Sequence, residues 1–182
     1  MVAPAVPVTG AADSPRGRAC ALWLLPEPSA GRALAGLIRE LARRFDTPEF
    51  EPHVTLLGAM PCTAELHHCL GRLPATGPQA LRVQGLESGT PPFRALYLRL
   101  HIHAGLERLR TGASEGCPHR EAQPWFPHLS LLYGDLAPEV RSRLAGELAP
   151  RLPGQVLLDR IAAVDARGPV AAWQVLDTRP LA

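Results

Sequence analysis

Two short stretches repeat the same set of residues suited to proton transfer. Residues 50–58 read Phe-Glu-Pro-His-Val-Thr-Leu-Leu-Gly, and residues 125–134 read Trp-Phe-Pro-His-Leu-Ser-Leu-Leu-Tyr-Gly. Aligned on His53 and His128, both give Pro-His-apolar-hydroxyl-Leu-Leu, with Thr55 or Ser130 two residues after the histidine. In a strand, residues two apart project from the same sheet face. Each copy therefore offers an imidazole and a hydroxyl side by side from one rigid element. Two such strands facing each other would hold two titratable groups and two hydroxyls around a small anion.

Imidazoles titrate near neutral pH, so one can take a proton from water while the other gives a proton to a leaving oxygen. The hydroxyls cannot do this at neutral pH and are suited to hydrogen-bonding the non-bridging oxygens of a phosphate. A cyclic phosphodiester matches this set: one water attacks, one alkoxide leaves, and charge develops on two equatorial oxygens. Neither motif has a carboxylate cluster beside it, so the expected chemistry needs no metal and no cofactor. A single Pro-His-Leu-Ser would read as a core-edge histidine. Core packing has no need to repeat a histidine and a hydroxyl in register.

These motifs need elements to hold them. Cys20–Pro26 reads as a strand, and Ser29 as the cap of a helix running to about Phe45, with Leu34, Leu37, Ile38 and Leu41 at helical spacing. The first motif lies on a strand over about 51–58, and Thr63 precedes a helix over 64–72. Strands follow at 80–86 and 93–101, then a helix over 103–112 ended by Gly112. Residues 112–127 form a Gly- and Pro-rich loop before the second motif strand at 127–133. Pro138 opens a helix to about 149, and two strands close the chain at 155–164 and 171–177. The order predicts an α+β fold of two pseudo-symmetric lobes of antiparallel sheet with outer helices, the site in the cleft between them.

Composition sets the outer bounds. The 182 residues are 46% hydrophobic and 20% charged, as expected for a packed core, with a net charge of +2. That charge is too weak for general binding to duplex nucleic acid. All 19 basic residues are arginine. Cys20, Cys62, Cys69 and Cys117 show no CxxC spacing and read as reduced thiols in a cytoplasmic protein. No run approaches the length of a membrane helix, and residues 1–18 read as a disordered tail ahead of one domain at 19–182. His101 and His103 read as surface histidines, and the Cys62, His67, His68, Cys69 group as a helix rather than a zinc site. Arg43 and Arg44 sit at a helix end, and nothing in the sequence places Arg94 or Arg99 on a substrate.

The doubled motif resembles the two-histidine (2H) phosphoesterases, and within them the cyclic phosphodiesterases of plants and yeast. The matching pieces are ALWLLP at 21–26, FEPHVTLLGA at 50–59 and PHLSLLYGDL at 127–136, and the resemblance spans about 20–178. It implies that His128 is the general base, His53 the general acid, and Thr55 and Ser130 the phosphoryl ligands. Trp23 and Tyr133 would line the nucleotide side. It also implies the substrates: ADP-ribose 1″,2″-cyclic phosphate and nucleoside 2′,3′-cyclic phosphates, opened to the 1″-phosphate and the 2′-phosphate. The partner expected is thus a small nucleotide cyclic phosphate, with no membrane and a monomeric protein. The alternatives are an enzyme of the same superfamily acting on RNA 3′ ends, or a non-catalytic nucleotide- or RNA-binding module. The plant members' cysteine pair in the loop before the second motif is not matched, because that loop holds only Cys117. If the histidines carry the proton transfers, excess EDTA leaves hydrolysis of a cyclic phosphate intact. Loss on chelation that one divalent metal restores would contradict it.

Overall fold

The computed structural model describes residues 20–63, 65–119 and 124–182. The tail expected at residues 1–18 lies outside the described residues, as do residues 120–123 of the loop before the second motif.

Strand β1 (Cys20–Pro26) is apolar along its length because both of its faces are covered. Cys20, Leu22 and Leu24 enter the main core, while Ala21, Trp23 and Leu25 pack on the opposite side with Ala162 and Val164. Helix α1 (Pro28–Phe45) lays Leu34, Leu37, Ile38 and Leu41 on the main core. Its cap is not Ser29. Pro28 takes the first helical turn, so the capping side chain is Glu27, which accepts the Ser29 N–H at 2.8 Å and the Ala30 N–H at 2.6 Å. Strand β2 (Val54–Met60) starts one residue after His53, later than the sequence pattern predicts.

Helix α2 (Glu65–Arg72) leads to β3 (Gln79–Glu87) and β4 (Leu96–Leu100). Residues 91–94 form a turn rather than the start of β4. Helix α3 (Ala104–Gly116) is capped by His103, whose Nδ1 accepts the Gly105 N–H at 3.1 Å and the Leu106 N–H at 3.4 Å. The helix passes through Gly112 without stopping. A Cβ there would lie 2.7 Å from the Pro74 ring, so this glycine serves close packing and not termination. Strand β5 (His128–Leu132), α4 (Pro138–Leu148), β6 (Gln155–Asp165) and β7 (Gln174–Pro180) complete the described strands and α-helices, with short 3-10 turns at Ala149–Arg151 and Val170–Ala172.

The strands run in the order β1-β2-β5-β4-β3-β6-β7, and β6 also pairs with β1, which closes the sheet on itself. β6 does this by serving both lobes. Its first residues, Gln155–Leu158, pair with β3, and Leu158–Asp165 pair with β1 and, from Arg160, with β7. One lobe is therefore β2, β1, late β6 and β7; the other is β5, β4, β3 and early β6. They meet a second time where β2 and β5 touch through one antiparallel pair, Val54 with Leu129. Both residues are fully buried in the main core, as are Leu56 and Leu131 two positions on.

The four cysteines are not all reduced. Cys20 and Cys62 form a disulfide, and Cys69 and Cys117 are free and buried. Sequence spacing gave no sign of this, because the bridge follows from pairing: Cys20 lies across from Met60, two residues before Cys62. The bridge ties the first residue of β1 to the chain leaving β2, over a separation of 42 residues. Constraining such a loop in the unfolded chain stabilises the fold by about 2–4 kcal/mol. Denaturant unfolding with and without reductant should differ by that amount in the wild type and by nothing in Cys62→Ser. Equal stabilities in the wild type would show that the bridge contributes nothing.

Candidate active site

The antiparallel pair Val54–Leu129 determines what surrounds it. Continued one residue each way, its register sets His53 across from Ser130 and Thr55 across from His128. Val54 and Leu129 point into the core, so these four neighbours turn to the other face. A cleft of about 220 Å³ lies on that face, lined by His53, Thr55, His128 and Ser130 together with Trp23, Phe93, Tyr133 and Trp173. The structure thus brings together all six residues singled out in the sequence. Of the two histidines and two hydroxyl residues, His53 alone reaches the cleft from outside a strand.

Each imidazole is held by the same local device. His53 Nδ1 lies 2.6 Å from the Glu51 carbonyl oxygen, and His128 Nδ1 lies 3.2 Å from that of Phe126. In each case a proline separates the two residues. A carbonyl only accepts, so the partner assigns the proton to Nδ1 and leaves Nε2 as the working nitrogen. His119 makes the same bond to Cys117 across Pro118, at 3.1 Å. The bond is therefore a property of a Pro-His step. What sets His53 and His128 apart is that they share one cleft.

The aromatic residues divide between support and surface. Trp23 lies across from Thr55 in the β1–β2 register and stacks on the His53 ring, with centroids 3.6 Å apart and planes 8° from parallel. One face of Trp23 is thus taken by the histidine. Tyr133 stacks on Phe50 at 3.7 Å and meets the edge of Phe93 at 5.3 Å. Phe93 is 39% exposed and stands at the cleft mouth, 5.9 Å from Trp173. Neither Phe93 nor Trp173 was assigned to the site from sequence. Phe93 belongs to the turn before β4, and Trp173 ends the 3-10 turn Val170–Ala172 that follows Gly168-Pro169. The Pro-Pro and Gly-Pro steps beside them mark turns, but not which way the ring faces.

One bond joins the two motifs and another holds the turn before β4. Trp125 Nε1 donates to the Thr55 carbonyl at 2.9 Å, joining the approach to the second motif to the first. The Ser130 hydroxyl donates to the Phe93 carbonyl at 2.9 Å, which holds the turn that carries Phe93. Gly134 then leaves the motif at φ 130°, and its N–H donates to the Pro92 carbonyl at 2.9 Å. A side chain there would be strained by the backbone angle and would press on Thr47 at 2.9 Å.

Burial lowers the pKa of both imidazoles. His53 is pushed down to about 4, chiefly by burial; its bond to Glu51 opposes this, and the nearby His128 adds to it. His128 is also held below its ordinary value, by burial first, with its Phe126 bond opposing and the Arg94 and Arg99 charges adding. The near-neutral values expected from sequence are thus corrected for the free protein. Burial also pushes the Tyr133 phenol well up, leaving it a neutral hydroxyl. Arg43 and Arg44 do not line the cleft; Arg44 pairs with Glu147 on α4 at 2.6 Å. Cys62 is committed to its disulfide, and His67 lies 3.6 Å from Asp177.

The His53 shift has a stability consequence. Between its folded value of about 4 and its ordinary 6.5, the unfolded chain holds more protons than the folded one, so stability rises with pH. The contribution is complete above pH 6.5 and is lost as pH falls toward 4, a change of roughly 3 kcal/mol for a shift of this size. Urea unfolding from pH 4 to 7 should show this slope in the wild type and a flatter one in His53→Gln. Parallel curves would mean that His53 titrates normally.

A family described as cyclic phosphodiesterase-like protein matches residues 18–181. Cyclic phosphodiesterase of Arabidopsis thaliana is 28% identical over 124 residues, which cover 65% of this chain and 66% of that protein, just under two thirds of its length. Among solved structures, TT0787 of Thermus thermophilus superposes with a TM-score of 0.59 at 21% identity, over 90% of this chain and 97% of that one. E. coli LigT complexed with 3′-AMP gives 0.53 at 16%, over 91% and 98%. Those two likenesses show a shared fold, and the family match covers nearly the whole described chain. With paired Pro-His-x-Thr/Ser motifs facing one cleft, the chain belongs to the cyclic phosphodiesterase-like family and is a two-histidine phosphoesterase.

Proposed function

We propose that this protein hydrolyses a small cyclic phosphodiester without metal, acting as one bilobal domain over residues 19–182. The observation that carries the reading is the pair of imidazoles in one cleft, each with Nδ1 bonded to a backbone carbonyl and Nε2 left to move a proton. His128 Nε2 takes a proton from water as its oxygen attacks phosphorus. The bond from phosphorus to the 3′ oxygen breaks, and that oxygen receives the proton from His53 Nε2. Thr55 and Ser130 hydroxyls donate to the two non-bridging oxygens, where charge builds. For Ser130 this means turning its proton from the Phe93 carbonyl to the substrate. Phe93 and Trp173 offer ring surface to the nucleoside, and Tyr133 closes the floor behind them.

The substrates that fit are nucleoside 2′,3′-cyclic phosphates and ADP-ribose 1″,2″-cyclic phosphate. The Arabidopsis relative is named a cyclic phosphodiesterase, and LigT is seen with 3′-AMP, which supports a small-nucleotide ligand for this cleft. Processing of RNA 3′ ends is the second reading, and it would use the same four groups.

The lowered imidazole values constrain the pH behaviour. The general acid must be protonated at work, yet the free protein holds both rings neutral at pH 7. A bound phosphate anion stabilises imidazolium and restores the proton. The kcat/KM profile, which reports the free enzyme, should therefore be bell-shaped with its maximum below pH 6.5, and the kcat profile should lie at higher pH. Coincident profiles with a maximum above pH 7 would contradict this. The function itself is tested by phosphorus NMR of the products. The 2′-phosphate and the 1″-phosphate are expected, and a 3′-phosphate would exchange the roles of His53 and His128. Inert cyclic phosphates would reject the proposal.

A further inference from the structure

The two lobes match around their histidines except at one position. In β1–β2, Trp23 lies across from Thr55 and Leu24 across from Val54, which sets Leu25 beside His53. In β4–β5, Tyr97 lies across from Ser130 and Arg99 across from His128. An aromatic thus neighbours each hydroxyl, but the neighbour of one histidine is a buried leucine and that of the other is an arginine. The Arg99 side chain is 38% exposed.

Arg99 is also held in a defined pose. Its guanidinium lies over the Phe126 ring at 4.4 Å, and Phe126 lies 5.0 Å from the His128 ring. Arg94 approaches the same ring at 5.5 Å. Glu87 forms a part-exposed ion pair with Arg99 at 3.6 Å, too long for a hydrogen bond, while it accepts the Tyr97 hydroxyl at 2.9 Å. Arg99 and Phe126 line a second depression of about 280 Å³, with Gln84, His101 and Pro127. Phe126 and Pro127 directly precede His128, so this depression adjoins the catalytic cleft on the His128 side.

We infer that Arg99 and Phe126 form a subsite for a second phosphoryl group, carried by the substrate on its ribose away from the cyclic phosphate. The inference rests on the cyclic phosphodiesterase reading and adds a preference to it. A guanidinium stacked on an aromatic ring has its planar fork fixed, which suits two parallel bonds to phosphate oxygens. The ring beside it gives the ribose or a base an apolar face. A bare nucleoside cyclic phosphate would leave this subsite empty. A nucleotide with a 5′-phosphate, a diphosphate or a preceding phosphodiester would fill it.

Calorimetric binding of nucleoside 2′-phosphate and nucleoside 2′,5′-bisphosphate tests the subsite without turnover. The bisphosphate should bind at least about tenfold tighter to the wild type, the size expected for a charge-assisted contact. Arg99→Gln should bring the ratio of affinities to near one, and Arg99→Lys should keep part of it. A wild-type ratio near one, or a ratio that Arg99→Gln leaves intact, overturns the subsite. Hydrolysis is scored separately: a bisphosphate preference without cyclic phosphate turnover would sink the catalytic reading and keep the subsite. Turnover without preference would do the reverse. Assaying Arg99→Gln on ADP-ribose 1″,2″-cyclic phosphate and on a dinucleotide ending in a 2′,3′-cyclic phosphate shows the source. The larger loss in kcat/KM marks a diphosphate or an internucleotide phosphate as the group bound.

Discussion

One antiparallel pair, Val54 with Leu129, holds the site in register. It is where the two lobes touch through their motif strands, and both side chains are buried in the core. Because side chains alternate along a strand, seating these two inward turns His53, Thr55, His128 and Ser130 outward together. A slip of one residue on either strand would turn a histidine toward the core and a leucine toward the cleft. The energetic preference against it is large, since burying one leucine is worth about 1.5–3 kcal/mol and each motif strand buries at least two. The hydrophobic pattern that folds the protein is thus the same constraint that brings the two histidines and two hydroxyls into one cleft. The Trp125 bond to the Thr55 carbonyl adds a polar tie across the same junction.

That assembly has an electrostatic cost. Seating His53 against Trp23 positions the ring, and the Glu51 carbonyl fixes its tautomer, but burial also removes water that would stabilise the charged form. The backbone carbonyls recover part of this through Nδ1, and an anionic substrate recovers more. On the proposed function, the free enzyme and the substrate complex therefore differ in protonation. Under the proposed mechanism, proton uptake accompanies binding, and the charge of the ligand serves catalysis as well as recognition. On His128, burial first and then the Arg94 and Arg99 charges favour the unprotonated ring, which suits the base role proposed for it.

The motif residues were legible because period-2 alternation and a repeated Pro-His step are local features. The same applies to β1 and to the apolar stripe of α1. Features set by pairing between distant elements were not. Cys20 meets Cys62 only because of the β1–β2 register with its bulges. Gly112 looked like a helix stop because the Pro74 ring that requires it is far away in sequence. The cap of α1 was misplaced by two residues, since Pro28 moves the helix start and Glu27 is an uncommon capping residue. Phe93 and Trp173 entered the site for a tertiary reason as well: the Ser130 bond and the edge contacts among the rings decide which aromatic faces the cleft.

The central claim is that His53 and His128 act as one acid–base pair. The most direct measurement is the turnover of a nucleoside 2′,3′-cyclic phosphate by His53→Ala, His128→Ala and the double variant. A positioned acid or base contributes roughly 10²–10⁴-fold, and groups that act as a unit are strongly non-additive. Each single variant should lose that factor, and the double variant should lose little more than either. Near wild-type turnover by either single variant, or losses that multiply in the double, would show that the histidines do not work as a pair.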